Sequence, residues 1–78
     1  MGNRDCDNYA RLALARLIEE GAREHDEFAT DYAEVSAVLA RRGHAEAAAR
    51  AMHLSRWHEV ASLQEQANAA AVRAGLEG

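Results

Sequence analysis

Four histidines are the residues of this chain best suited to bind a transition metal or to transfer protons. Three of them lie, with the only tryptophan, in RRGHAEAAARAMHLSRWHEV, residues 41–60. Two side chains on one helix share a face when they are three or four residues apart. His53 and His58 are five apart, which places them about 140° apart around a helix. They therefore do not hold one ion together on a continuous helix.

The established spacings of metal ligands are missing from the sequence. Di-metal sites in helical bundles use a Glu-x-x-His motif, but the residues three positions before the histidines are Ala22, Arg41, Arg50 and Ser55. There is no HExxH motif either. The sequence therefore predicts no metal and no cofactor, with His53 in or beside the core, His25 flanking it and His58 facing solvent. A metal site formed between helices or subunits stays an open alternative.

Nucleophilic side chains give no catalytic pattern. Cys6 stands between Asp5 and Asp7, whose negative charges disfavour the reactive thiolate. The serines are at positions 36, 55 and 62, and none has an evident base with a third group to orient it. The sequence predicts a protein that is not an enzyme and has no catalytic residues.

The elements that carry these residues are predicted to be helices. Proline is absent, and alanine, leucine, glutamate and arginine dominate the chain, which favours helix almost everywhere. Between residues 8 and 74, glycine occurs only at Gly21 and Gly43. Arg41 and Arg42 suit the C-terminal end of a helix, and Gly43 can adopt the left-handed conformation that closes one. The first helix is therefore expected to end near residue 42.

Apolar and small residues form a seven-residue repeat across Gly21, in alternating steps of four and three. We call this set the stripe: Leu14, Ile18, Gly21, His25, Phe28, Tyr32, Val35 and Leu39. Its constant phase predicts one helix over about residues 8–42, with Gly21 facing a close partner helix. A break near residues 21–24, giving a three-helix domain, is the alternative.

The second predicted helix covers about residues 45–74. One face consists of Ala49, His53, Trp57, Val60, Gln64, Ala67, Ala71 and Ala74; Met52 and Leu63 flank it on one side, and Leu54, Ala61 and Val72 on the other. This apolar arc, about 200° wide, is more than one partner helix covers. A chain of 78 residues with one cysteine has a small core and no internal disulfide, so self-association is expected.

We therefore predict an all-α protein, a long antiparallel hairpin that dimerises into a four-helix bundle. It forms a single domain over residues 1–78, with residues 1–7 flexible. The predicted core or dimer contacts are Leu14, Ile18, Phe28, Tyr32, Val35, Leu39, Met52, Trp57, Val60 and Leu63. The polar start MGNRDCDNYA is not a signal peptide, and no run approaches the length of a membrane span, so a cytoplasmic protein is expected.

Acidic residues recur every three or four positions along the first helix. We call them the acidic ridge: Glu20, Glu24, Glu27, Asp31 and Glu34. With a net charge of −4 and a pI near 5.5, the chain does not have the composition of a dedicated nucleic-acid binder. The ridge predicts a docking surface for a basic protein partner, supplemented by Arg50 and His58. The alternative is a solvated outer face that keeps a small bundle soluble.

The segment GHAEAAARAMHLS, residues 43–55, resembles the helix-turn-helix of LysR-type transcription regulators. The resemblance implies a recognition helix capped by Ser55, with Arg56, His58 and Ser62 near DNA. Glu59 stands where that family has an apolar residue. The overlapping VLARRGHAEAAARAM is equally similar to helical hairpins of tetratricopeptide-type repeats and of GntR-type ligand-binding domains. Sequence-specific DNA binding is therefore the alternative function.

Overall fold

The protein is a hairpin of two antiparallel α-helices. The computed structural model describes residues 2–75, with the side chains of residues 6–75. Helix α1 spans Gly2–Arg41 and helix α2 spans Ala45–Ala74. The predicted all-α hairpin is confirmed. Because α1 continues without interruption through Gly21, the three-helix alternative is wrong.

Helix α1 begins earlier than predicted. Residues 2–7, expected to be flexible, are helical; residue 1 lies outside the described residues. No proline interrupts this segment, and the helix-favouring sequence that follows extends the helix toward the N-terminus. The C-terminal end of α2 is held to α1 by Arg11, whose Nη1 donates a hydrogen bond to the carbonyl of Gly75 at 2.6 Å.

The turn between the helices is closed by glycine, as predicted. Gly43 has a φ of 84°, in the left-handed region that a side chain would strain. Its N–H donates to the carbonyl of Ala40 at 3.1 Å, and the N–H of His44 donates to the carbonyl of Leu39 at 2.9 Å. These two bonds form a Schellman motif, which satisfies the last carbonyls of α1 and reverses the chain within three residues.

The contact between α1 and α2 is made of alanine and serine. The buried residues are Ala15, Ala22, Ala29 and Ser36 on α1, and Ala48, Ala51, Ser55, Ser62 and Ala69 on α2. Apart from Ala51, they recur every seven residues on both helices, the period of a coiled-coil contact. The molecule is 64 × 13 × 10 Å. Contacts lined by small side chains lie at the close end of the range of helix packing distances.

Three buried serine hydroxyls fix the register of this contact. Each donates to a backbone carbonyl of the opposite helix: Ser36 to Ala48 at 2.8 Å, Ser55 to Ala29 at 2.6 Å and Ser62 to Ala22 at 2.8 Å. Each seven-residue step along α1 matches an equal step in the reverse direction along α2. A carbonyl oxygen has a second lone pair beside its helical bond, so the hydroxyls are satisfied without disturbing either helix. If one helix slipped by one residue along the other, all three hydroxyls would lose these carbonyl partners.

Much of the predicted apolar surface lies outside the contact between α1 and α2. On α1, each residue of the buried row directly follows a residue of the stripe. The stripe residues Ile18, Gly21, His25, Tyr32 and Leu39 are half-buried. On α2 the eight residues of the predicted face, from Ala49 to Ala74, are all exposed. The physical reason is side-chain size: only alanine and serine rows let two helices lie this close along their whole length.

The two sides of the hairpin differ in character. We call one side the aromatic face: the stripe of α1 together with Leu54, Trp57, His58, Ala61 and Glu65 of α2. The opposite polar side holds a groove lined by Glu19, Ala22, Arg23, Asp26, Ser62 and Gln66. There Arg73 binds Glu19 through two hydrogen bonds of 2.9 and 2.7 Å, which lower the pKa of the Glu19 carboxyl. Exposed pairs of this kind add little stability.

The large apolar side chains lie outside the hairpin. Of the predicted core or dimer contacts, Ile18, Tyr32, Leu39 and Met52 are half-buried, whereas Leu14, Phe28, Val35, Trp57, Val60 and Leu63 are exposed. Phe28 is 50% exposed and Trp57 is 57% exposed. The interior of one hairpin therefore gains little from the burial of large apolar surface, which is the main stabilising contribution in most domains.

Enlarging the contact should destabilise the hairpin. In Ala22→Leu, a side chain that is 3% exposed grows against the α2 backbone and must push the helices apart. We expect the free energy of unfolding, measured by urea denaturation, to fall by about 1–3 kcal/mol. The matched control, Ala37→Leu at an exposed position of α1, should change it by no more than about 0.5 kcal/mol. Equal effects of the two variants would contradict the contact described here.

Candidate functional site

A histidine pair lies at the edge of the aromatic face. His25 of α1 and His58 of α2 bring their Nδ1 atoms to 2.8 Å from one another, a hydrogen-bond distance. His58 was predicted to face solvent, but it is half-buried, whereas His53, predicted in or beside the core, is exposed. Both corrections follow from the face of α2 that packs on α1. His25 flanks the contact, as predicted.

A carboxylate extends the pair into a chain of three groups. Oε1 of Glu65 lies 3.5 Å from Nε2 of His25, which is within electrostatic range but longer than a good hydrogen bond. The other oxygen, Oε2, is buried and has no hydrogen-bond partner among the described residues. It occupies the space next to Gly21, where an added Cβ would come within 2.7 Å of it. Gly21 thus faces a close partner helix, as predicted. Its lack of a side chain leaves room for the carboxyl group of Glu65.

The carboxylate selects the protonation pattern of both rings. A neutral imidazole carries one N–H and one lone pair, so one facing Nδ1 must donate and the other must accept. If His25 donated, its Nε2 lone pair would face the Glu65 carboxylate, and two acceptors would repel each other. With both rings neutral, His25 then carries its proton on Nε2 and His58 donates from Nδ1. In this tautomer pair the Nε2 of His58 is a lone pair.

Aromatic rings hold the His58 ring in place. Tyr32 stacks on it with a centroid distance of 5.6 Å and an interplanar angle of 10°. Phe28 lies 5.2 Å away, and Trp57 meets the ring edge-on at 4.9 Å. An imidazole enclosed on several sides loses little further freedom when it binds a ligand. A heptad reading of α2 would have found the cluster, because Ala51, His58 and Glu65 share one position of the repeat.

A metal site or a nucleophilic centre in the described part of a single chain would have to be built from its histidine, acidic, cysteine and serine side chains. Within residues 6–75, no group of three or more histidine, cysteine, aspartate or glutamate side chains is placed to bind one ion. Cys6 is exposed and free. The three serines use their hydroxyls in the helix contact, where no substrate reaches them.

The acidic ridge is formed as the sequence suggested. Its five residues, Glu20, Glu24, Glu27, Asp31 and Glu34, are all exposed on the outward face of α1, and none makes an ion pair with another described residue. The ridge adjoins the stripe, since Asp31 and Glu34 line an open depression of about 400 Å³ with Val35 and Val38. Arg50 is exposed on α2 and does not contact the ridge. His58 belongs to the histidine cluster instead.

The residues of the DNA-binding alternative do not share one exposed surface. Arg56 is exposed, but His58 is held in the cluster and Ser62 is 2% exposed in the helix contact. Ser55, expected to cap a recognition helix, lies inside the continuous helix α2 and bonds to Ala29.

Comparison with known proteins adds no relative. No family model matches the chain, and no curated protein and no solved structure matches it. Over the part of the chain that the structure describes, neither helix has a stretch long and apolar enough to cross a membrane. The functional conclusion therefore comes from the geometry of the site.

Filling the space at Gly21 should displace the Glu65 carboxylate without unfolding the helix. In Gly21→Ala, the new Cβ meets only the far end of a flexible side chain, and alanine is favoured over glycine in a helix by about 1 kcal/mol. We expect the free energy of unfolding to rise by up to about 1 kcal/mol. In NMR spectra the ring nitrogen signals of His25 should shift while those of His53 stay constant. An unchanged His25 signal would contradict the close contact.

Proposed function

We propose that this protein is a non-enzymatic interaction protein that acts as a dimer of hairpins and regulates or inhibits a macromolecular partner. One observation supports it above all: the helix contact is alanine and serine, while Leu14, Phe28, Val35 and Trp57 are exposed on one side of the molecule. Contiguous apolar surface of this kind on a small protein marks a binding site. The hairpin gains most of its apolar burial only when that side is covered.

A second copy of the chain is the occupant that fits the aromatic face. The stripe runs from Leu14 to Leu39, about 38 Å at 1.5 Å per residue, and contains no charged residue. Within the described residues, Glu65 is the one charged side chain of the face. A long, flat and nearly uncharged surface is self-complementary, as a two-fold interface requires. Two such faces packed together make a four-helix bundle.

The charges at the rims of the face favour the same pairing. The rim on α1 carries Asp31 and Glu34 of the ridge, and the rim on α2 carries Arg50, with all three exposed. In a two-fold pair with both turns at one end, α1 of one copy lies beside α2 of the other. By the register of the helix contact, Arg50 of one copy then stands level with Glu34 of the other. Such complementary rims fix orientation more than they add affinity.

The remaining acids of the ridge stay free for a partner with a basic surface. Glu20, Glu24 and Glu27 are exposed on the same outward side of α1 as Asp31 and Glu34. The register of the helix contact places no cation of α2 level with them, whereas it places Arg50 level with Glu34. A rigid row of negative charge speeds the encounter with a basic patch, and salt weakens that attraction. A partner whose basic surface binds nucleic acid would be inhibited by such a dimer. The alternative function, DNA binding through Arg56, lacks a second exposed residue of its predicted set.

Charge placed in the aromatic face should abolish the dimer. In Phe28→Glu, a carboxylate enters the centre of the proposed interface, so we expect analytical ultracentrifugation to give a monomer where the unmodified chain is a dimer. The matched control is Leu63→Glu: Leu63 is 58% exposed against 50% for Phe28, but lies one turn from Gln66 on the polar side. It should remain a dimer. The proposed dimer is wrong if the unmodified chain is a monomer, or if both variants have the same effect on association.

Charge reversal on the ridge should release the macromolecular partner. Glu20→Arg combined with Glu27→Arg inverts the outward row, and we expect a protein that co-purifies with the chain from its native host to be lost. Raising the salt concentration should have the same effect. The control, Glu46→Arg combined with Glu59→Arg, changes two exposed acids of α2 and should retain the protein. Retention by both double variants would reject the ridge as the docking surface.

The DNA-binding alternative has a separate outcome in the same purification. Recovered duplex DNA, bound with sequence specificity at moderate salt and lost in Arg56→Ala, would replace the proposed function by DNA recognition. A protein complex free of nucleic acid supports the proposed function.

A further inference from the structure

The histidine cluster occupies the middle of the aromatic face. His58 lies close to the midpoint of α2 (Ala45–Ala74), and His25 lies opposite it on α1. A two-fold axis parallel to the long axis of the hairpin places each level of one copy beside the same level of the other. A two-fold axis that lies in the interface and crosses the long axis of the hairpin at mid-length also brings the middle of one copy onto the middle of the other. In either arrangement, the two histidine clusters of a dimer face one another.

Each cluster brings a negative charge into that interface. Glu65 is the charged member, and its buried Oε2 has no partner among the described residues. Two carboxylates that each have a buried oxygen without a hydrogen-bond partner from the described residues are costly in the middle of an apolar interface. The two Glu65 carboxylates of a dimer carry two negative charges when both are ionised. One divalent cation would neutralise them.

The cluster also supplies a suitable donor atom. With both rings neutral, Nε2 of His58 is a lone pair, because His58 donates its Nδ1–H to His25, whose Nε2–H faces Glu65. Histidine ligands of metals are held in this way: the second ring nitrogen donates its proton into a chain that ends at a carboxylate. Imidazole nitrogen prefers zinc, copper and nickel over magnesium or calcium.

We propose that the two His58 side chains of a dimer bind one divalent transition-metal ion, with Zn²⁺ as its simplest representative, and that His25 and Glu65 act as positioning residues. The inference rests on the proposed dimer. Two imidazoles supply half of a tetrahedral set, and water fills the other positions. The proposed site takes one ligand from each chain. Within the described residues, a single chain forms no group of three ligands.

The test measures self-association with and without the ion. Untagged protein is stripped with a chelator, and its dimer dissociation constant is determined by analytical ultracentrifugation with no metal and with Zn²⁺. Because the ion binds only the dimer, free Zn²⁺ at ten times its dissociation constant should tighten the dimer about tenfold. Elemental analysis should give one Zn²⁺ for two chains. No change in the dimer constant, or one Zn²⁺ per chain, would overturn the proposal.

Matched histidine variants separate the site from adventitious binding. His58→Gln should remove the response to Zn²⁺, while His53→Gln, an exposed histidine five residues away on the same helix, should keep it. Glu65→Gln should weaken Zn²⁺ binding by about 10- to 100-fold, as loss of a supporting group does. A response that persists in His58→Gln would overturn the site.

The outcomes distinguish the site from the dimer itself. A metal-free dimer that dissociates in Phe28→Glu but ignores Zn²⁺ would reject the metal site and leave the proposed function standing. A chain that is monomeric with and without Zn²⁺ would reject both.

Discussion

The close contact of two helices through alanine and serine is the constraint on which the rest of this molecule depends. Large side chains would hold the axes further apart, and the hydroxyls of Ser36, Ser55 and Ser62 would then no longer reach the opposite backbone. Because the contact consists of small residues, it stabilises the hairpin through close packing and register rather than through a large buried apolar area. The large apolar residues are consequently displaced to the outside, where they are free to contact another molecule.

The asymmetry between the two sides of the hairpin follows from the same contact. One side carries the pair Glu19–Arg73 and a polar groove, and the other carries aromatic rings around a histidine pair. The aromatic face also holds the most unusual polar arrangement of the chain, a carboxylate with a buried, unpartnered oxygen beside Gly21. A carboxylate so placed is costly unless another group compensates it.

Part of the candidate site was predictable from the sequence. The stripe, the acidic ridge and the continuity of α1 through Gly21 follow from periodicity, because residues three, four or seven apart on one helix share a face. The pairing of His25 with His58 was missed because it depends on which face of α2 meets α1. The wide apolar arc of α2 did not identify that face, because it includes Trp57 and Val60 but not the buried Ser55 and Ser62.

The sequence by itself determined an all-α hairpin: it has no proline, a seven-residue period, and a glycine at position 43 that closes α1. These properties are local, since each depends on backbone preferences and on neighbours within two turns. The tertiary structure alone decided that α1 and α2 meet through their smallest residues, that His58 turns toward His25, and that the large apolar residues remain outside. Those outcomes depend on the distance between two helix axes, which is set by the side chains of both helices at once.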